Sequence, residues 1–129
     1  MIEVYIDGAS AGNPGPSGIG IFIKNNGQVE SHSIPLGQLT NHEAEFMALI
    51  RALEICRDRS CSIISVRSDS ALVVDAVENT FVRNKKYAPL LDTALQLARS
   101  FELFFIKWIP SKENKKADEL ARKAIRMNR

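Results

Sequence analysis

Four carboxylates stand in separate parts of the chain, each beside or inside a predicted element. Asp7 closes the alternating run I-E-V-Y-I-D, and Glu45 falls in the first turns of a helical stretch. Asp69 follows a β-rich run, and Asp118 opens the last helical stretch. Hard divalent cations prefer oxygen ligands of this kind. The four acids therefore predict a metal site if the fold brings them together.

If these elements form one β-sheet with helices packed on it, strand ends and helix starts converge at one edge of that sheet. We therefore expect the four acids to meet there. Carboxylates that share one patch repel each other, and a cation is needed to prevent their pKa values from rising. Mg²⁺, or Mn²⁺ in its place, keeps several waters and is usually held by a few carboxylates plus substrate phosphate. Two such ions about 4 Å apart activate water and stabilise the leaving oxygen in attack on a phosphodiester. The acids therefore indicate metal-assisted phosphodiester hydrolysis.

The elements that must position these acids follow from the spacing of apolar residues. Alternation and short apolar runs predict strands at residues 2–7, 19–23, 28–36, 62–67 and 101–109. Asn26 and Gly27 predict a tight turn between the second and third strands. A capping box of Thr40 and Glu43 starts a helix reaching about Arg57. Further helices are predicted over 70–78, 89–100 and 114–127.

This order of elements predicts an α/β fold. Three antiparallel strands come first, and crossover connections then extend them into a five-stranded mixed sheet flanked by helices. The 129 residues, 45% hydrophobic and 25% charged, predict a single globular domain over 1–129. No apolar run approaches the length of a membrane span and no secretion signal is apparent, so a cytoplasmic monomer is expected. Cys56 and Cys61 are expected to be reduced thiols.

Local charge is more informative than the net charge of +2. Seven Lys or Arg against three acids lie from Lys112 to Arg129, and a second basic group comprises Arg83, Lys85 and Lys86. Such groups permit phosphate binding, although a solvated helix face gives the same pattern. Lys115 and Lys116 lie beside Asp118 and are the preferred candidates for substrate contact.

Four blocks of sequence appear in order between residue 2 and about residue 125. They are Y-I-D-G-A-S-A-G-N-P-G-P-S-G-I-G, T-N-H-E-A-E-F-M-A-L-I-R-A-L-E, V-R-S-D-S-A-L-V-V and W-I-P-S-K-E-N-K-K-A-D-E-L-A-R. These blocks resemble those of type 1 ribonuclease H. The resemblance implies a ribonuclease H-like fold and an endonuclease that cleaves the RNA strand of RNA/DNA hybrids, leaving a 3′-hydroxyl and a 5′-phosphate. It implies that Asp7, Glu45, Asp69 and Asp118 are the catalytic metal ligands.

The same resemblance implies residues that contact the substrate. Asn13 and Asn41 occupy positions similar to those of the family's minor-groove contacts, where the 2′-hydroxyl distinguishes RNA from DNA. The small residues and backbone from Gly8 to Asn13 permit close approach. Thr40 is predicted to touch a DNA phosphate or to cap the helix, and the two roles are compatible.

The chain departs from the family pattern in two segments. The loop Ile109–Asn114 before the last carboxylate is short and lacks the histidine of well-known members. His32 and His42 are not expected to replace it, and His42 is expected on the surface. Glu113 is a candidate for a supporting role or for a favourable charge near a helix N-terminus. The extra basic handle is reduced to Arg83, Lys85, Lys86 and Tyr87, so this is a compact form with weaker hybrid affinity.

Two alternatives remain open at this stage. The first is a catalytically weak or inactive nucleic-acid-binding module of the same fold, and the four intact acids disfavour it. The second is another nuclease of that broad fold, such as a junction resolvase or an integrase-like enzyme. The G-N-P-G loop and Asn41 favour hybrid recognition instead.

Overall fold

The computed structural model describes residues 1–128, and these form a five-stranded sheet with helices on both faces. The strands are β1 (Ile2–Ser10), β2 (Gly15–Asn25), β3 (Gln28–Leu39), β4 (Ile63–Ser68) and β5 (Leu103–Trp108). Their order across the sheet is β3-β2-β1-β4-β5. Strands β1, β2 and β3 pair antiparallel, whereas β4 pairs parallel with both β1 and β5. The predicted mixed sheet is confirmed.

A two-residue turn joins β2 to β3 and sets their register. Asn26 and Gly27 have φ values of 52° and 82°, as a hairpin of the primed type requires. Asn25 and Gln28 pair directly across the turn. No atom lies within 4 Å of the place where a Gly27 side chain would begin, so this glycine is required by backbone conformation.

The four helices agree with the predicted ranges to within two residues. They are α1 (Asn41–Asp58), α2 (Ala71–Asn79), α3 (Ala88–Ala98) and α4 (Lys115–Arg126). Two short 3₁₀ turns, Lys85–Tyr87 and Ser111–Glu113, were not predicted from the sequence. None of the helices within residues 1–128 combines the length and apolar character needed to cross a membrane.

Side-chain caps fix where α1 and α2 begin. The Glu43 N–H donates to Thr40 Oγ1 at 3.2 Å, and the Thr40 N–H donates to Glu43 Oε1 at 2.9 Å. This reciprocal pair is the capping box expected from the sequence. Ser70 Oγ accepts from the Val73 N–H at 3.2 Å and so caps α2 in the same way.

Helices α1 and α4 pack on opposite faces of the sheet. A Cβ atom on Gly8 of β1 would meet the Ala44 carbonyl oxygen of α1 at 2.2 Å. A Cβ atom on Gly20 of β2 would meet the Ala117 carbonyl oxygen of α4 at 2.1 Å. Because adjacent strand residues point to opposite faces, Asp7, which pairs with Gly20, faces α4.

The main hydrophobic core lies on the α1 face. Fully buried residues there include Val4 and Ile6 of β1 and Phe46 of α1, together with apolar residues of α2 and α3. Helix α4 buries its alanines and Leu120 on the other face. The sheet thus holds α1 and α4 in fixed positions on either side of β1, the strand that carries Asp7.

Candidate active site

Asp7 lies inside β1 and is partly buried. The sequence placed it at the end of a strand, but β1 continues for three residues to Ser10 because the start of β2 pairs with it, from Ser17 onward. The expectation of a strand-end acid is therefore wrong for Asp7. Its side chain projects from the middle of the sheet toward the start of α4.

Glu45 lies in the second turn of α1, and its side chain is 14% exposed. The helix start approaches β1 closely because Gly8 has no side chain in the way of Ala44. This packing brings the Glu45 carboxylate toward the strand that holds Asp7. Gly8 itself is buried by this contact, so its predicted role in substrate binding is limited to its backbone.

Asp69 occupies a bend between β4 and α2, as the sequence predicted. The Ser70 N–H donates to Ser68 Oγ at 3.0 Å, and Ser70 caps α2. Trp108 Nε1 donates to the Asp69 carbonyl oxygen at 3.2 Å from the end of β5. Contacts on both sides of the bend therefore fix the backbone that carries this acid.

Asp118 lies in the first turn of α4 and is partly exposed. Asn114, which precedes the helix, does not cap it; its Nδ2 donates to the Ile6 carbonyl oxygen at 2.8 Å and its side chain is buried. This hydrogen bond ties the helix start to β1 beside Asp7. Arg122 Nε donates to Asp118 Oδ2 at 3.0 Å and partly neutralises that carboxylate.

The four carboxyl groups act on one another through Asp7. Burial is the largest cause of a rise in the pKa of Asp7 to about 8, and repulsion from Asp69, Asp118 and Glu45 contributes to the same rise. A hydrogen bond with the carboxyl group of Asp118 also favours the protonated form of Asp7. The fold therefore gathers the four predicted acids around one strand position.

Within residues 1–128, no three side chains of the His, Cys, Asp and Glu types are close enough to enclose a metal ion by themselves. This finding is compatible with a Mg²⁺ site around Asp7, because Mg²⁺ uses only a few carboxylates and completes its shell with waters and substrate phosphate. An all-oxygen donor set with excess negative charge fits a hard divalent cation and not a soft one.

The asparagines predicted to contact substrate lie together at the start of α1, the helix that carries Glu45. The Asn41 N–H donates to Asn13 Oδ1 at 2.9 Å, and both residues are exposed. Thr40 uses its hydroxyl for the helix cap, which is one of its two predicted roles. Lys115 and Lys116 are exposed at the start of α4, whereas Arg129 of the basic run lies outside the described residues.

A groove lies beside the site, between the start of α1, helix α2 and the segment leading to α3. It has a volume of about 700 Å³, and Phe81 and Arg83 are exposed along it. Tyr87 was grouped with the basic remnant of the handle. It is instead 8% exposed, because it packs on Phe46 in the core.

Sequence reasoning missed the role of His42. Its Nδ1 is 2.8 Å from Glu45 Oε1, although the ring is half exposed as expected for a surface residue. The spacing of three residues on one helix was a signal for this contact, since such pairs face each other. The sequence contains no comparable signal for the contact of His42 with Tyr87.

Comparisons with known proteins agree with this fold. A family described as "Reverse transcriptase-like" matches residues 5–124. A putative hydrolase, EbsB of Enterococcus faecalis, is 41% identical over 97% of this chain and 94% of its own length. The crystal structure of RNase H1 from Halobacterium salinarum aligns with a TM-score of 0.91 and 32% identity over 98% of both chains. LC11-RNase H1, solved in complex with an RNA/DNA hybrid, aligns with a TM-score of 0.90 and 31% identity over 98% of both chains.

A mixed sheet with acids gathered around its central strand, and relatives that match from end to end, define a family of nucleic-acid hydrolases. The chain belongs to the ribonuclease H family and is an enzyme of that type.

Proposed function

We propose that this protein is an endoribonuclease that hydrolyses the RNA strand of RNA/DNA hybrids and leaves 3′-hydroxyl and 5′-phosphate ends. The observation that carries the proposal is the gathering of Glu45, Asp69 and Asp118 around Asp7. A cluster of mutually repelling acids is costly to a protein that does not use it. Its retention favours a catalytic enzyme over an inactive binding module.

The four acids are proposed to hold two Mg²⁺ ions when substrate is bound, with Mn²⁺ as a substitute. Bound ions of this kind supply an activated water and offset charge on the leaving oxygen. Asp7, partly buried and central, is a favourable ligand because a bound cation offsets the repulsion from the neighbouring acids that contributes to its raised pKa. Arg122 holds Asp118 in the absence of a metal ion.

Recognition of the RNA strand is proposed to involve Asn13 and Asn41. The hydrogen bond from the Asn41 N–H to Oδ1 fixes the Asn13 side chain, and both residues are exposed at the start of the helix that carries Glu45. Exposed amides at this place suit contacts in a minor groove that displays 2′-hydroxyl groups. Lys115 and Lys116, exposed beside Asp118, are proposed to bind phosphates and supply part of the affinity.

A cleavage assay with labelled RNA/DNA, RNA/RNA and DNA/DNA duplexes, each with Mg²⁺ or Mn²⁺, tests the proposal. Only the RNA strand of the hybrid should be cut, and labelling should reveal 3′-hydroxyl and 5′-phosphate ends. Asp69→Asn should lose several orders of magnitude in rate, whereas Asp92→Asn, an exposed acid on α3, should match the unmodified chain. Full cleavage by purified Asp69→Asn would refute the metal-dependent mechanism. Tight hybrid binding without cleavage by the unmodified chain would favour the inactive module.

A further inference from the structure

Glu45 is the only one of the four acids with a histidine bonded to it among the described residues. The Nδ1 of His42 donates to Glu45 Oε1 at 2.8 Å. The Glu45 side chain is 14% exposed and that of His42 is 51% exposed. The hydrogen bond therefore engages Oε1 and leaves Oε2 outside this contact, on a carboxylate whose charge acts on Asp7.

The ring of His42 is itself held in place. Its centroid lies 5.9 Å from that of Tyr87, and the two planes meet at 78° in an edge-on contact. The Tyr87 ring stacks on Phe46 with centroids 5.7 Å apart and planes at 28°. Since Tyr87 and Phe46 are buried, His42 contacts a rigid part of the core and not a mobile surface.

The positions of His42, Glu45 and Phe46 along α1 explain why the histidine contacts both the acid and the core. His42, Glu45 and Phe46 are separated by three and four residues, so they project from the same side of consecutive turns. Tyr87 comes from the 3₁₀ turn that precedes α3, where the Lys86 N–H donates to Asn84 Oδ1 at 3.0 Å. The segment that replaces the longer handle thus supports an acid of the site through a histidine.

We propose that His42 is a positioning residue for Glu45, held by Tyr87, which keeps the free carboxylate oxygen of Glu45 directed toward Asp7 before any ion binds. This inference rests on the proposed function, because it assigns Glu45 to the metal site. A free glutamate side chain must lose rotamer freedom when it binds an ion, and one already held loses less. Removing the hydrogen bond should therefore weaken ion binding by roughly three- to tenfold, the range expected for one held side chain.

Two substitutions separate the hydrogen bond from the ring contact. His42→Phe keeps a ring for Tyr87 but removes the donor. His42→Asn loses the ring but places an amide nitrogen at the same number of bonds from the backbone as Nδ1, so it still donates to Glu45. His32→Phe is the matched control, since His32 bonds to Glu30 on β3 at 2.5 Å and lies outside the proposed site.

Binding of Mn²⁺ to the metal-free protein is measured by the electron paramagnetic resonance of free Mn²⁺, without nucleic acid. His42→Phe should bind Mn²⁺ roughly three- to tenfold more weakly, and His42→Asn and His32→Phe should stay within about twofold of the unmodified chain. In hybrid cleavage, His42→Phe should need correspondingly more Mg²⁺ for half-maximal rate, while KM for hybrid stays unchanged. Thermal melts check folding, and His42→Ala replaces His42→Phe if the larger side chain prevents folding.

Unchanged Mn²⁺ binding by His42→Phe would overturn the proposal. Equal weakening by His42→Asn and His42→Phe would also overturn it, because the hydrogen bond would then have no separate effect. The Mn²⁺ titration contains no substrate, so it tests His42 even if the unmodified chain fails to cut hybrid. That failure would refute the proposed function alone.

Discussion

Replacing Asp7 with asparagine should stabilise the metal-free protein and abolish metal-dependent cleavage. Burial first, and then repulsion from Asp69, Asp118 and Glu45, raises the pKa of Asp7 to about 8 from an ordinary value of 3.8. An asparagine of similar shape removes the charge that causes this cost. The variant also removes a proposed ligand, so stability and activity should change in opposite directions.

The direction of the pH dependence follows from the raised pKa of Asp7. The folded protein binds the Asp7 proton more tightly than the unfolded chain, so this contribution to stability is complete below about pH 3.8 and is lost as pH rises through about 8. Each unit of pKa shift corresponds to about 1.4 kcal/mol. The shift of Asp7 from 3.8 to about 8 therefore sets an upper limit of roughly 6 kcal/mol on the stability lost when Asp7 ionises in the folded protein. Solvent screening and side-chain movement reduce this value, and we expect about 2 kcal/mol above pH 8. For a chain of this size that corresponds to roughly 6 to 8 °C in melting temperature.

Thermal melts of the unmodified chain and Asp7→Asn, in chelator from about pH 5 to about pH 9, measure this effect. The difference in melting temperature should grow with pH, and added Mg²⁺ should narrow it by offsetting the repulsion in the unmodified chain. Asp92→Asn, exposed on α3, should show no such growth. A difference that stays constant with pH would refute the raised pKa of Asp7.

Three further predictions test how the site is held and how it binds substrate. Gly20→Ala places a Cβ atom 2.1 Å from the Ala117 carbonyl oxygen, so it should push α4 from the sheet and lower both the melting temperature and the cleavage rate. Asn114→Ala leaves a buried β1 carbonyl without its donor, which should cost about 1 to 3 kcal/mol in urea denaturation. The double variant Lys115→Ala/Lys116→Ala should bind hybrid more weakly and lower the slope of log affinity against log salt by about 0.7 to 0.9 per lost contact. The cleavage rate of this double variant at saturating hybrid should not change. An unchanged salt slope would indicate that the hybrid binds instead along the groove lined by Phe81.

Most of the fold was predictable because local patterns agreed with tertiary packing. Alternating apolar residues gave β1, the Asn26-Gly27 turn gave the β2-β3 register, and the capping box gave the start of α1. The strand ends were less predictable, since pairing with a neighbour decides where a strand stops. Asp7 is the clearest case, because β2 extends β1 past it to Ser10.

By itself the sequence predicted which residues could carry the chemistry: four acids, the capped helix start at Thr40 and the asparagines Asn13 and Asn41. Side-chain type and helix or strand period are local properties, so one chain is enough to reveal them. The tertiary structure alone decided how those residues are held. The buried hydrogen bond from Asn114 to β1, the close approach of α4 over Gly20 and the contact of His42 with Tyr87 join residues far apart in the chain. Such contacts depend on how the packed layers fit together, which no local pattern encodes.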